Sequence, residues 1–118
     1  MLGNVFTIPI VVPGTLAANI TVTFVLPVDC QLIHVSANGS NANDGKLSIG
    51  KIGTLEAYLA SAAIGDSDTP VEFDRTDFVG DQFPHITAGT LINVGLDFDG
   101  AGGTATANFT CVLTFLEG

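Results

Sequence analysis

The residues able to do chemistry are few in this chain of 118 residues, and they stand apart. Two histidines, His34 and His85, two cysteines, Cys30 and Cys111, and a single arginine, Arg75, make up the sparse set. A nucleophile needs a base within hydrogen-bond reach, and acid–base work needs groups tuned by burial or by neighbours. His34 falls within an extended run and His85 in the connection Phe83-Pro84-His85-Ile86, so each is expected to play an ordinary structural or surface role. Two cysteines and two histidines scattered this way do not have the spacing of a zinc site. No glycine-rich phosphate loop precedes a helix, because the glycines stand between strands.

Carboxylates are the more plentiful group. Asp66 and Asp68, then Glu72, Asp74, Asp77 and Asp81, then Asp97 and Asp99 fall in or beside loops. Calcium takes six to eight oxygens, and Asp-rich loops can supply them. Asp97-Phe98-Asp99-Gly100 lacks the full spacing of an EF-hand loop, however, and turns favour Asp for their own hydrogen bonds. The expectation is therefore no metal and no cofactor. Composition leaves a glycosidase-like carboxylate pair open, but the chain has no Trp and one Tyr, Tyr58, which disfavours a sugar-stacking platform. Arg75 stands among Asp68, Asp74 and Asp77. Its planar fork suits a carboxylate or backbone carbonyls, and an ion pair between subunits is the alternative.

Charge limits the partners. Twelve Asp+Glu against three Lys+Arg give a net charge of -9. Lys46, Lys51 and Arg75 are too few to neutralise the phosphates of a nucleic acid, and an anionic membrane surface is excluded on the same ground. Charged residues reach only 13% while hydrophobic ones reach 47%, and so poorly charged a surface invites contact with other protein. The start, Met1-Leu2-Gly3-Asn4, has no basic residue before its apolar run, which Pro9 and Pro13 interrupt. The expectation is a chain without a secretory leader, folded in a cytoplasm, with both cysteines free. The glycosylation-like triplets at Asn19, Asn38 and Asn108 are then chance matches.

The elements that position these residues read as strands. Over 104–115, Ala105, Ala107, Phe109, Cys111, Leu113 and Phe115 alternate with Thr104, Thr106, Asn108, Thr110, Val112 and Thr114. Strand side chains alternate with period two, so this run predicts a long half-buried strand. The same alternation predicts strands over 4–12, with Phe6, Ile8, Ile10 and Val12 on one face, and over 19–26 and 90–99. Pro9 has no N–H for the ladder, which places the first strand at an edge, and Pro13-Gly14 is expected to turn the chain. A run over 30–37 with Ile33, Val35 and Ala37 facing the core would turn Cys30 outward. Shorter strands are expected over 46–52 and 71–73. The stretch 55–64, Leu-Glu-Ala-Tyr-Leu-Ala-Ser-Ala-Ala-Ile, suits a helical turn by composition. Asp99-Gly100 between two alternating runs signals a long terminal hairpin. One domain over 1–118 with seven or eight strands and at most one short helix reads as a β-sandwich or barrel.

Beyond this pattern, the chain resembles small virion structural proteins of tailed bacteriophages, among them the head decoration (cement) proteins. The resemblance rests on Asn19-Ile20-Thr21-Val22-Thr23-Phe24, Pro27-Val28-Asp29-Cys30-Gln31-Leu32, Ile64-Gly65-Asp66, Val71-Glu72-Phe73-Asp74-Arg75 and Leu113-Thr114-Phe115-Leu116-Glu117-Gly118. It implies a jelly-roll-like antiparallel β-sandwich that trimerises on the outside of a phage head and bridges subunits of the major capsid protein. The virion is the implied location, and no catalytic residue is implied. Phe6, Ile8, Ile10 and Val12, in a 1–12 segment that is either a contact arm or an edge strand, are the candidate interface together with Arg75. A tail or baseplate component shares this texture. A carbohydrate- or receptor-binding β-sandwich module is the alternative from another class, and a small hydrolase the third.

Overall fold

A computed structural model describes residues 3–66 and 68–118. Met1, Leu2 and Ser67 lie outside them, and with them the first two residues of the 1–12 segment and one residue of the turn before Pro70. The described chain is all-β: β1 (Val5–Thr15), β2 (Ile20–Phe24), β3 (Cys30–Asn38), β4 (Lys46–Lys51), β5 (Thr54–Ala63), β6 (Val71–Phe73), β7 (His85–Ile86), β8 (Ile92–Asp97) and β9 (Ala107–Glu117). A single 3₁₀ turn at Val79–Asp81 is the helical element among the described residues. Counting the two-residue β7 brings the strands to nine, one more than the periodicity predicts, because His85-Ile86 is too short to carry a pattern.

Two antiparallel sheets face each other. One has the order β1-β9-β3-β6, with β7 also on β3, and the other has the order β2-β8-β4-β5. Apart from β4–β5 and β6–β7, consecutive strands lie in opposite sheets, so the chain crosses the sandwich at nearly every connection. That is the double Greek-key winding of a jelly roll. The shared core draws Leu32, Phe109, Leu113 and Phe115 from the first sheet and Leu47, Ile49, Ile92 and Val94 from the second, all buried. Phe6 stacks on Phe115 across the β1–β9 ladder, centroids 5.5 Å apart.

Five expectations need correction. The run over 55–64 is strand β5, not a helical turn: pairing with β4 overrides local propensity, and two register shifts absorb the extra residues. The terminal hairpin does not form. β8 pairs with β2 and β4, β9 pairs with β1 and β3, and the 98–106 connection passes between the sheets. Alternating runs of this kind can bury their apolar faces against each other across the sandwich as well as side by side, and the Asp99-Gly100 signal is local only. Cys30 faces the core, because a bulge at Ile33, between Leu32 and His34, reverses the alternation and buries Cys30, Leu32, Val35 and Ala37 together. Thr106 is buried instead of lining the outer face. Asn108 adopts φ 50°, and the ladder to β1 shifts between Val12 and Thr15. That same irregularity carries β1 through Pro13 and Gly14, whose φ is 86°, instead of turning there.

Candidate functional site

The chemistry-bearing residues are dispersed and held by local partners. Asp66 Oδ1 accepts hydrogen bonds from the Asp68 and Thr69 amides and the Thr69 hydroxyl. Asp74 Oδ1 accepts from the Thr76 amide and hydroxyl, and Asp77 Oδ2 from the Asp74 amide. The Thr69 and Thr76 hydroxyls hold the Asp66 and Asp74 carboxyls below the ordinary carboxylate range. These are Asx-type turns in which the carboxylates serve their own backbone. Among the described residues no group of three or more His, Cys, Asp or Glu is placed to hold a metal ion. Cys30 and Cys111 are free and buried, and burial pushes the Cys111 thiol up to about 12. His34 Nε2 lies 3.1 Å from Glu72 Oε1 on the outer face of the first sheet. His85 pairs with Gln31 through β7. Arg75 Nη1 donates to the Asp81 carbonyl at 3.2 Å.

The candidate interface residues of β1 point inward. Ile10 is buried, while Phe6, Ile8 and Val12 are half-buried and pack on the core of their own domain. The Glu117 amide donates to the Asn4 carbonyl at 2.8 Å. In antiparallel pairing this makes the even-numbered residues of β1 the ones bonded to β9. Val5, Thr7, Pro9 and Val11 therefore turn their backbone groups to the free edge. Pro9 contributes no donor in the middle of that edge.

Surface chemistry is distributed by region. The β1–β2, β3–β4, β5–β6 and β8–β9 connections meet at one end, tied by Gly39 N to Gly65 O at 2.9 Å, Asp44 N to Thr104 O at 3.0 Å and Leu16 N to Thr106 O at 2.9 Å. Asp44, Asp66, Asp68, Asp97 and Asp99 gather there. Asp29, Asp74, Asp77, Asp81 and Glu117 lie toward the other. The outer face of the β2-β8-β4 sheet is nearly uncharged between them. Its register places Thr21, Gly95 and Ser48 in one row and Thr23, Asn93 and Gly50 in the next. One step further come Val25, Leu91 and Ile52, with the Ile52 amide donating to the Leu91 carbonyl.

Gly50 explains how Leu55 joins them. A Cβ there would meet the backbone of Thr54 and Leu55, so only glycine lets the start of β5 lie against the sheet. Val25, Ile52, Leu55 and Leu91, each 49 to 55% exposed, are thus the exposed apolar side chains at this end of the sheet and make up its apolar patch. None of the four was read from the sequence as a contact residue, because they come from separate strands and connections that only the pairing brings together. A usable signal was present: apolar residues at outward positions just beyond strand ends.

No protein-family model matches the chain, and no curated protein matches it in sequence. Among solved structures, its fold is similar to that of a chain in the cyanophage Pam1 capsid asymmetric unit. The likeness covers 99% of this chain and 87% of that one, with a TM-score of 0.55 at 17% identity. At that identity the likeness speaks for the fold.

Proposed function

We propose that this chain is a non-enzymatic structural protein of a bacteriophage virion. Its finer role is that of a decoration protein, bound to the outside of the head, contacting the major capsid protein and acting as a homotrimer. The observation that carries this reading is the near-complete overlap of its jelly roll with a chain of the Pam1 capsid. The implied setting is synthesis in a bacterial host followed by incorporation in the particle. A decoration protein has no need of an active site, and it stabilises a shell by binding the assembled form alone.

The apolar patch supports a contact role, and its size sets the mode. Burying a Val, Leu or Ile side chain is worth about 1.5–3 kcal/mol at about 25 cal/mol per Å², so four half-exposed ones offer roughly 200 Å². A stable interface takes about 800 Å² from each partner. One patch is too small alone, whereas a trimer presents three copies at once and gains by avidity. Contact through Phe6, Ile8, Ile10 and Val12 requires the β1 edge to lift from its own core. Val25, Ile52, Leu55 and Leu91 are available without unfolding.

The test has two parts. Light scattering behind size-exclusion chromatography measures the mass, and cosedimentation with assembled heads of the encoding phage measures binding. A trimer that pellets with heads, and loses that when Ile52→Asp and Leu91→Asp are combined, supports the proposal. A protein that ignores heads and labels tails in immunoelectron microscopy assigns it to the tail, and one that labels neither overturns the virion reading.

A further inference from the structure

A hollow of about 190 Å³ opens on the outer face of the β2-β8-β4 sheet, above Gly95. Register places the Thr21 and Ser48 side chains on either side of that glycine, so the missing side chain leaves a gap between two hydroxyls. Leu55 walls one flank and Asp97 the rim. Neither hydroxyl has a hydrogen-bond partner among the described residues. Asp97 uses Oδ1 for the Asp99 amide at 3.1 Å, which leaves its other oxygen open.

Asn93 makes this more than a dip between small residues. It is 4% exposed although it stands on the outward side of the sheet, with Thr23 beside it. One end of its amide meets the Thr23 hydroxyl at 3.4 Å. The other end has no partner among the described residues and lies 3.7 Å from the point a Gly95 Cβ would occupy. No fully buried side-chain nitrogen or oxygen is left unpaired among the described residues, so this end is reached by water, and a ligand that displaces that water must reproduce its hydrogen bond. Here that end points into the hollow.

We infer that this hollow binds one neutral pyranose ring, such as the terminal unit of a glycan. Two hydroxyls, a carboxylate oxygen and an amide both accept and donate, which matches the vicinal hydroxyls of a sugar. Leu55 suits the apolar C–H face of the ring. Asp97 lines the rim and the molecule carries a net charge of -9, which disfavours phosphates and anionic sugars although Lys46 stands opposite Asp97 in the ladder. A bound peptide would need a free sheet edge or an apolar anchor pocket, and the hollow sits on strands whose ladders are already paired. Pockets for drug-sized ligands run to about 300–1,000 Å³, so this one takes a single ring. About a dozen heavy atoms at ordinary ligand efficiency give a Kd on the order of 1 mM. The inference is independent of the virion reading, since the hollow is defined within one chain.

The experiment is a titration of the ¹⁵N-labelled protein with methyl glycosides of glucose, galactose, mannose and N-acetylglucosamine, followed by amide shifts. Gly95→Ala fills the hollow at small cost, because its Cβ would meet Ser48 Oγ at 3.3 Å and that hydroxyl can turn aside. Thr21→Val removes one hydroxyl from an exposed strand position and serves as the second variant. Saturable shifts at Gly95, Ser48 and the Asn93 side chain with at least one glycoside are expected. They should weaken about tenfold or more in both variants and be absent with N-acetylneuraminic acid. No saturable shift with any neutral glycoside up to about 100 mM overturns the inference, and so do shifts that persist in both variants.

Discussion

Asn43 joins three loops at one end of the sandwich. Its Oδ1 accepts from the Gly45 amide at 2.9 Å and from the buried Thr106 hydroxyl at 3.2 Å, while its Nδ2 donates to the Asn41 carbonyl at 2.9 Å and the Gly65 carbonyl at 3.4 Å. Removing it strands the Thr106 hydroxyl in the interior. Asn43→Ala is therefore expected to destabilise by about 1–3 kcal/mol, read as a lowered midpoint in urea. A change within a few tenths would show that the loops hold without it. The acid response belongs to the same scale. Asp66 and Asp74 ionise more readily folded than unfolded, so their contribution is present above the ordinary carboxylate pKa of about 4 and is lost as pH falls through the lower folded values. Below about pH 4 the Tm should fall less steeply in Asp66→Asn and Asp74→Asn than in the parent. Parallel curves would remove these carboxylates from the acid transition. The sequence marks both as turn residues, Asp followed closely by Thr, while their partners are set by the folded turns.

The strands show where alternation suffices and where it fails. Over 92–97 and 109–115 every apolar position of the pattern is buried, because a regular ladder preserves period two. Over 30–37 one bulged residue was enough to exchange the faces of Cys30 and Leu32. A bulge depends on the partner strand and leaves no local mark. Pro9 illustrates the opposite case: a missing N–H is a property of the residue itself, and it did locate the edge. Replacing it restores a continuous row of donors along β1. Pro9→Val is expected to leave the fold intact while promoting edge-to-edge association, seen as dimers or larger species by light scattering. A variant as monodisperse as the parent would show that Pro9 does not guard this edge.

At the scale of the molecule, carboxylates occupy both ends of a body 45 × 29 × 25 Å in extent, and the outer sheet faces carry little charge. With a net charge of -9, the folded state carries self-repulsion that salt relieves. Raising NaCl from about 10 mM to about 0.5 M shortens the Debye length from roughly 30 Å to less than 8 Å. The Tm should rise by a few degrees over that range in sodium chloride. A fall would mean that attractions among the surface charges outweigh the repulsion.

Length, composition and alternation by themselves determined that this is an all-β chain, that its regularly alternating runs are extended, that β1 is an edge, and which apolar core residues β8 and β9 supply. Those properties follow from side chains meeting water or apolar surroundings one residue at a time. Tertiary structure alone decided that the last two strands lie in opposite sheets, that the helix-like 55–64 run is a strand, and that Val25, Ile52, Leu55 and Leu91 adjoin. It also decided that Asn93 is buried on an outward face. Each of these depends on pairing between segments far apart in the chain, and alternation says which side of a strand is apolar without saying which strand will cover it.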